Sequence, residues 1–153
     1  MGEPERSGRL VWIGLRPRDH GPIQVVEQVM CDEEYGLVGD RYRKRHGDRQ
    51  VTLFQFEDLA RFADVLAIPE VRPEQVRRNL GVAEVDLLSF QDSTFSIGNV
   101  TLAGTGLCDP CERMEETLGS GGQQAMLGRG GITARIVQGG TIRCGDRVGI
   151  CSP

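Results

Sequence analysis

Glycine and proline punctuate this chain so densely that the stretches between them rarely suit anything longer than a short strand. The 153 residues include 21 glycines and 7 prolines, with glycine clusters at 119–122, 128–131 and 139–140. Such punctuation predicts many strands joined by tight turns. Arg9 to Leu15 reads as a strand with Leu10, Trp12 and Gly14 on one face, and Ile23 to Met30 as an extended β-branched segment. Further strands are expected at Gln50–Phe54, around Phe95 and Ile97, at Val100–Ala103 after a Gly98-Asn99 turn, at Ile132–Val137 and at Val148–Cys151. Helical spacing is confined to Phe56, Leu59, Ala60, Ala63, Leu66 and Ala67, ended by Pro69, to Pro73–Asn79, and to Cys111–Leu118. The expectation is a mainly β protein, a closed or partly closed β-barrel with two or three short helices. One domain over 9–153 follows a polar tail, residues 1–8.

Composition narrows the function classes. Aromatic residues make up 5% of the chain, so the core must be aliphatic. No stretch approaches the ~18 apolar residues of a membrane span, and Met1 to Arg9 lacks the apolar region of a secretory signal. A cytoplasmic protein with no membrane partner is expected. The net charge of −4 argues against nucleic acid as a partner. Lys44, in a charged loop, is the single lysine among the 18 lysines and arginines, which argues against a pyridoxal-phosphate Schiff base in this chain. The odd cysteine count (Cys31, Cys108, Cys111, Cys144, Cys151) speaks for reduced thiols over a disulfide framework.

The pattern richest in chemistry is Leu107-Cys108-Asp109-Pro110-Cys111. A thiol opening a helix meets unpaired N–H groups and the positive end of the helix dipole, so its thiolate is favoured. That thiolate can attack sulfur, carry a persulfide or ligate a soft metal. Two structural thiols in a tight loop are the plain alternative. A structural zinc site lacks a second close ligand pair, since Cys31, Cys144, Cys151, His20 and His46 are scattered. A thioredoxin-like pair lacks the alternating strands and helices of that architecture, and Asp109 between the thiols opposes a thiolate. The second pattern is cationic. Arg41, Arg43, Lys44, Arg45 and Arg49 form a charged loop with His46 and Asp48, and Arg77-Arg78-Asn79 closes a short helix ahead of a strand. Guanidinium forks pair with phosphate or carboxylate; the arginines could equally serve only to neutralise a helix end. The glycine clusters match neither a dinucleotide fingerprint nor a Walker loop.

These patterns, in this order, resemble the MOSC family, the domain named for the C-terminal part of molybdenum cofactor sulfurases. The matching stretches are Gly36-Leu37-Val38-Gly39-Asp40-Arg41, Arg49-Gln50-Val51-Thr52-Leu53, Arg77-Arg78-Asn79-Leu80, Gly104 through Cys111, Gly130-Gly131-Ile132-Thr133-Ala134-Arg135, and Gly139-Gly140 through Gly145-Asp146. The resemblance implies a β-rich barrel whose cysteine carries sulfur or ligates the molybdenum of molybdopterin. It places Cys111 at the metal or persulfide position, with Cys108 as a helper thiol. Arg77, Arg78 and Asn79 would grip the pterin's phosphate, with Asp40, Arg41, Arg49 and Asp146 in motifs of secondary rank. Cys111, Arg77 and Asn79 are then expected to line one cleft. Glu84 stands where the family often has a small residue. The chain shows no pyridoxal-phosphate desulfurase domain, so the resemblance implies a separate sulfur donor. Small members include molybdenum-dependent reductases of N-hydroxylated compounds fed by a separate electron-transfer protein, a second possibility. A non-catalytic anion- or partner-binding module with structural cysteines is the third.

Overall fold

The computed structural model describes residues 7–18, 21–42 and 44–151. His20, Arg43 and most of the expected tail lie outside the described residues. Strand β1 (Ser7–Leu15) begins two residues before the expected Arg9. It is followed by β2 (Gln24–Val26), β3 (Gln28–Asp32), β4 (Gly36–Leu37) and β5 (Val51–Gln55). Helix α1 (Asp58–Leu66) and a 3₁₀ turn at Pro73–Val76 lead to β6 (Leu80–Ala83). A second 3₁₀ turn, Leu87–Phe90, precedes β7 (Thr94–Ile97) and β8 (Val100–Leu107). Helices α2 (Arg113–Leu118) and α3 (Gly122–Met126), then β9 (Ile132–Gln138), β10 (Gly140–Arg143) and β11 (Arg147–Ile150), complete the chain.

Seven strands close a barrel in the order β11-β7-β8-β9-β5-β6-β1, with β1 returning to β11 and β2 appended to the far part of β1. All barrel pairings are antiparallel except β5 with β6. A separate small sheet pairs β10, β3 and β4. The barrel interior is aliphatic, as the composition requires: Leu10, Ile13, Val51, Leu53, Leu80, Val82, Ile97, Val100 and Ile132 are fully buried, and Phe90 and Phe95 are the aromatic members. A second core lies outside the barrel wall, where the helices cover Trp12 and Phe54 with Leu59, Phe62, Val76, Met114, Leu118 and Met126. The two rings meet edge to face at 5.7 Å and 70°, a geometry worth about 1 kcal/mol beyond the area buried.

This second core corrects the expected face of β1. Its pairing with β6 slips between Leu10 and Trp12. One unpaired residue reverses the side-chain alternation, so Leu10 points inward with Ile13 while Trp12 meets the helices. Other boundaries also move. The expected Ile23–Met30 strand breaks at Glu27 into β2 and β3. The Pro73–Asn79 helix stops at Val76 because Arg77 adopts a left-handed backbone, φ 54°. The Cys111–Leu118 helix starts only at Arg113. The last glycine of the 119–122 cluster opens α3, and the second of the 139–140 pair opens β10.

Candidate functional site

β8 leaves the barrel at Leu107, opposite Ile132 at the start of β9. The loop that follows carries both cysteines. It lies on the Gly128–Gly131 segment: the Cys108 amide donates to the Gly131 carbonyl at 2.8 Å. A side chain at Gly130 would collide with the Cys108 carbonyl, and one at Gly131, where φ is +102°, with the Leu53 carbonyl. The second glycine cluster is therefore a floor for the cysteine loop. Arg129 pins that floor to α1, its Nε donating to Asp58 Oδ2 at 2.6 Å.

Arg78 is the bolt beneath the loop. It is 6% exposed. Its Nε donates to the Gly130 carbonyl at 2.8 Å, and its Nη2 to the carbonyls of Cys108 and Asp109 at 3.3 Å each. Burial pushes this guanidinium below its ordinary pKa. The Cys108 thiol opposes that shift, Arg16 adds to it, Cys111 opposes it and Arg49 adds to it. Segments distant along the chain thus bring three arginines and two cysteines within electrostatic reach of one point. Arg49 is exposed, and its Nη2 donates to the buried Cys108 Sγ at 4.0 Å, the long end for sulfur. Thr105 Oγ1 fixes the approach of this loop by donating to the Asp48 carbonyl, and shares a 2.8 Å hydrogen bond with Thr133 Oγ1. Cys108 is 3% exposed, whereas Cys111 is open to solvent. Cys111 borders a hollow of about 510 Å³ walled by Glu112, Arg113, Glu115 and Glu116.

The other expected site residues divide by what they touch. Asn79 is fully buried and its amide is spent on structure. Oδ1 accepts from the Thr52 amide and hydroxyl at 3.1 and 3.2 Å, while Nδ2 donates to the Gly14 carbonyl and to Asp40 Oδ1 at 3.0 Å each. Asp40 in turn binds the Arg16 amide at 2.8 Å and its guanidinium at 3.2 Å. The Arg16–Asp40–Asn79 chain ties β1, β5 and the loop after β4 together. Arg77 turns away from Arg78, its left-handed backbone sending Nη1 to the Gly21 carbonyl at 2.9 Å. Arg41 is exposed, with its amide on the Arg16 carbonyl. Asp146 sits at the other end of the barrel, in the turn before β11 where its carbonyl meets the Leu10 amide. Arg77 reaches the Gly21 carbonyl and the Asn79 amide is engaged by Thr52, Gly14 and Asp40, while the hollow at Cys111 is walled by the start of α2. That helix has six residues and acidic neighbours, so its dipole contributes little at Cys111. Sequence reading missed Arg16, Thr105 and Thr133. Thr105 and Thr133 fall within stretches that carry the resemblance, but the role of each of the three depends on a partner far along the chain.

The sequence model of the MOSC domain matches residues 26–149. The chain belongs to the MOSC domain family. Its fold is similar to that of the YuaD protein from Bacillus subtilis, at TM-score 0.81 and 19% identity, covering 96% of this chain and 97% of that one. It is also similar to YiiM from Geobacillus stearothermophilus, at TM-score 0.73 and 13% identity over 95% of this chain and 75% of that one. YiiM from Escherichia coli gives TM-score 0.73 and 18% identity over 95% and 70%. At such identities the likeness is one of fold. No curated protein matches the sequence. Among the described residues no helix is long and apolar enough to cross a membrane.

Proposed function

We propose that this protein handles the molybdenum cofactor, with Cys111 presenting a thiolate as metal ligand or as persulfide carrier. The observation that carries the reading is Arg78. Buried and bonded to the carbonyls of Cys108 and Asp109, it fixes the loop and lends it positive charge below an exposed thiol. Among the described residues no three His, Cys, Asp or Glu side chains gather as a bare metal ion would need. A single soft donor beside guanidinium groups suits instead a metal that arrives already chelated and negatively charged. The molybdenum cofactor, when bound, supplies such a metal together with a phosphate tail. Of the residues expected to hold it, Cys111 offers the sulfur and Arg49 an exposed guanidinium. Arg78 and Asn79 support the site from beneath.

The chain's own part is positional. The glycine floor and Arg78 orient the cysteine loop, Asp40 and Asn79 lock the strands behind it, and Thr105 holds the carbonyl of Asp48, the residue before Arg49. Protein produced in a cofactor-competent host should carry molybdenum and a fluorescent pterin, or sulfane sulfur that cyanide releases. Absence of all of these, with Cys111 inert to alkylation, would reject the reading. A partner protein that delivers sulfur or electrons is part of the proposal, since the described residues offer no cysteine cluster for an iron–sulfur centre.

A further inference from the structure

The two cysteines of the loop are not equivalent, and the difference is informative. Cys111 is exposed, as a residue that receives cargo must be. Cys108 is buried, yet the guanidinium of Arg49, from a loop 59 residues away, reaches its sulfur. Arg78 holds the carbonyl of the same residue. A cysteine serving only as a small core hydrophobe has no use for an arginine on its sulfur, and Cys31 shows the contrast. It lies on β3 of the small sheet, packed into the main aliphatic core, where burial pushes its thiol up to about 12.

We infer that Cys108 is a second catalytic thiol that discharges sulfur carried on Cys111, with Arg49 as its positioning residue. The inference rests on the persulfide arm of the function proposed above. Cys111 takes one sulfur atom from a sulfane-sulfur donor and holds it as Cys111–S–SH. The Cys108 thiolate attacks Cys111 Sγ. A Cys108–Cys111 bond forms, the bond from Cys111 to the outer sulfur breaks, and that sulfur departs with the electron pair as hydrosulfide. The outer sulfur gains two electrons and the two cysteines together lose two. A dithiol reductant, a small molecule or a protein, restores both thiols by becoming a disulfide itself. Negative charge passes from Cys108 to the departing sulfur during the step. Arg49 donates to the Cys108 sulfur and the buried Arg78 adds positive charge beneath the loop, which favours the transition state. Both thiols belong to the one loop that Arg78 holds from beneath, and both act on the charge of that guanidinium.

The test uses the full chain, freshly reduced and freed of reductant, mixed with one equivalent of inorganic polysulfide. Intact mass is followed in time and peptide mapping assigns the bonds. Wild type should pass through a species heavier by one sulfur atom and end lighter by two hydrogens, with Cys108 joined to Cys111. Cys108→Ser should stall with the extra sulfur on Cys111, its decay slowed about tenfold or more. Arg49→Ala, a change at an exposed side chain that leaves the fold intact by circular dichroism, should slow the same decay by about tenfold. Cys111 that loads with sulfur but decays equally fast in wild type and in both variants would overturn the inference while leaving the carrier reading standing. So would a wild-type disulfide that omits Cys108. Failure of Cys111 to load at all would overturn both.

Discussion

Removing the Asn79 amide separates a structural role from a ligand-binding one. In Asn79→Ala the Thr52 amide and the Gly14 carbonyl each lose a buried partner, and Asp40 loses one of its donors. A buried polar group left without its partner costs about 1–3 kcal/mol. Asp40 keeps Arg16 and the Tyr42 amide, so the two backbone groups dominate and the total comes to about 3–5 kcal/mol. Against a typical stability of about 5–15 kcal/mol that is a large share, readable as a shifted midpoint in urea unfolding with m unchanged. Asn79→Asp sharpens the test. It keeps the shape but sets a second carboxyl against Asp40 Oδ1, a 3.0 Å contact in the present structure, so it should be milder at acid pH, where one carboxyl is neutral. An Asn79→Ala protein within about 1 kcal/mol of wild type would refute the reasoning and return the amide to the list of phosphate ligands.

Further expectations concern other parts of the molecule. Cys31, its thiol raised to about 12 by burial, should resist alkylation in the native protein at about pH 8, while Cys111 reacts; equal labelling would contradict the burial pattern. Glu115 accepts from the Gly121 and Gln123 amides, which outweigh desolvation and hold its carboxyl below the ordinary 4.5. A depressed carboxyl contributes stability above its unfolded pKa and loses it as pH falls through the folded one. The melting-temperature gap between wild type and Glu115→Gln should therefore narrow below about pH 4.5; a constant gap would contradict it. Gly131→Ala adds a side chain at φ +102° against the Leu53 carbonyl, and should cost about 3 kcal/mol or more by chemical denaturation.

The closed barrel was legible because frequent glycines and alternating apolar residues leave few other ways to bury a chain with so few aromatics. The cysteine motif was legible from its spacing, but not that β8 runs on past Ala103 to Leu107 and delivers the loop there, because a shift in pairing between Gly104 and Gly106 breaks the alternation. What stayed hidden depends on contacts made across the fold. Nothing local tells that Arg77 takes a left-handed backbone, and that one dihedral sends it and Arg78 to different partners. The bulge near Val11 is equally silent, though it decides which face Trp12 occupies. Asn79 was expected at the phosphate on the resemblance alone, and the folded chain adds what no local pattern tells, that Thr52, Gly14 and Asp40 surround its amide. Glu84, flagged as a departure beside the arginine motif, lies at the far end of β6 near Arg9, where the two side chains are 3.8 Å apart. It does not reach the cysteine loop's own cluster of arginines.

The most direct test compares Cys111→Ser with Cys151→Ser, both prepared from a cofactor-competent host. Cys151 is half-buried, with its amide on the Thr94 carbonyl, outside the cysteine–arginine cluster. Bound molybdenum, pterin and cyanide-labile sulfur should fall to background in Cys111→Ser and match wild type in Cys151→Ser. Equal retention in the two variants would show that the exposed thiol of the loop is not what holds the cargo.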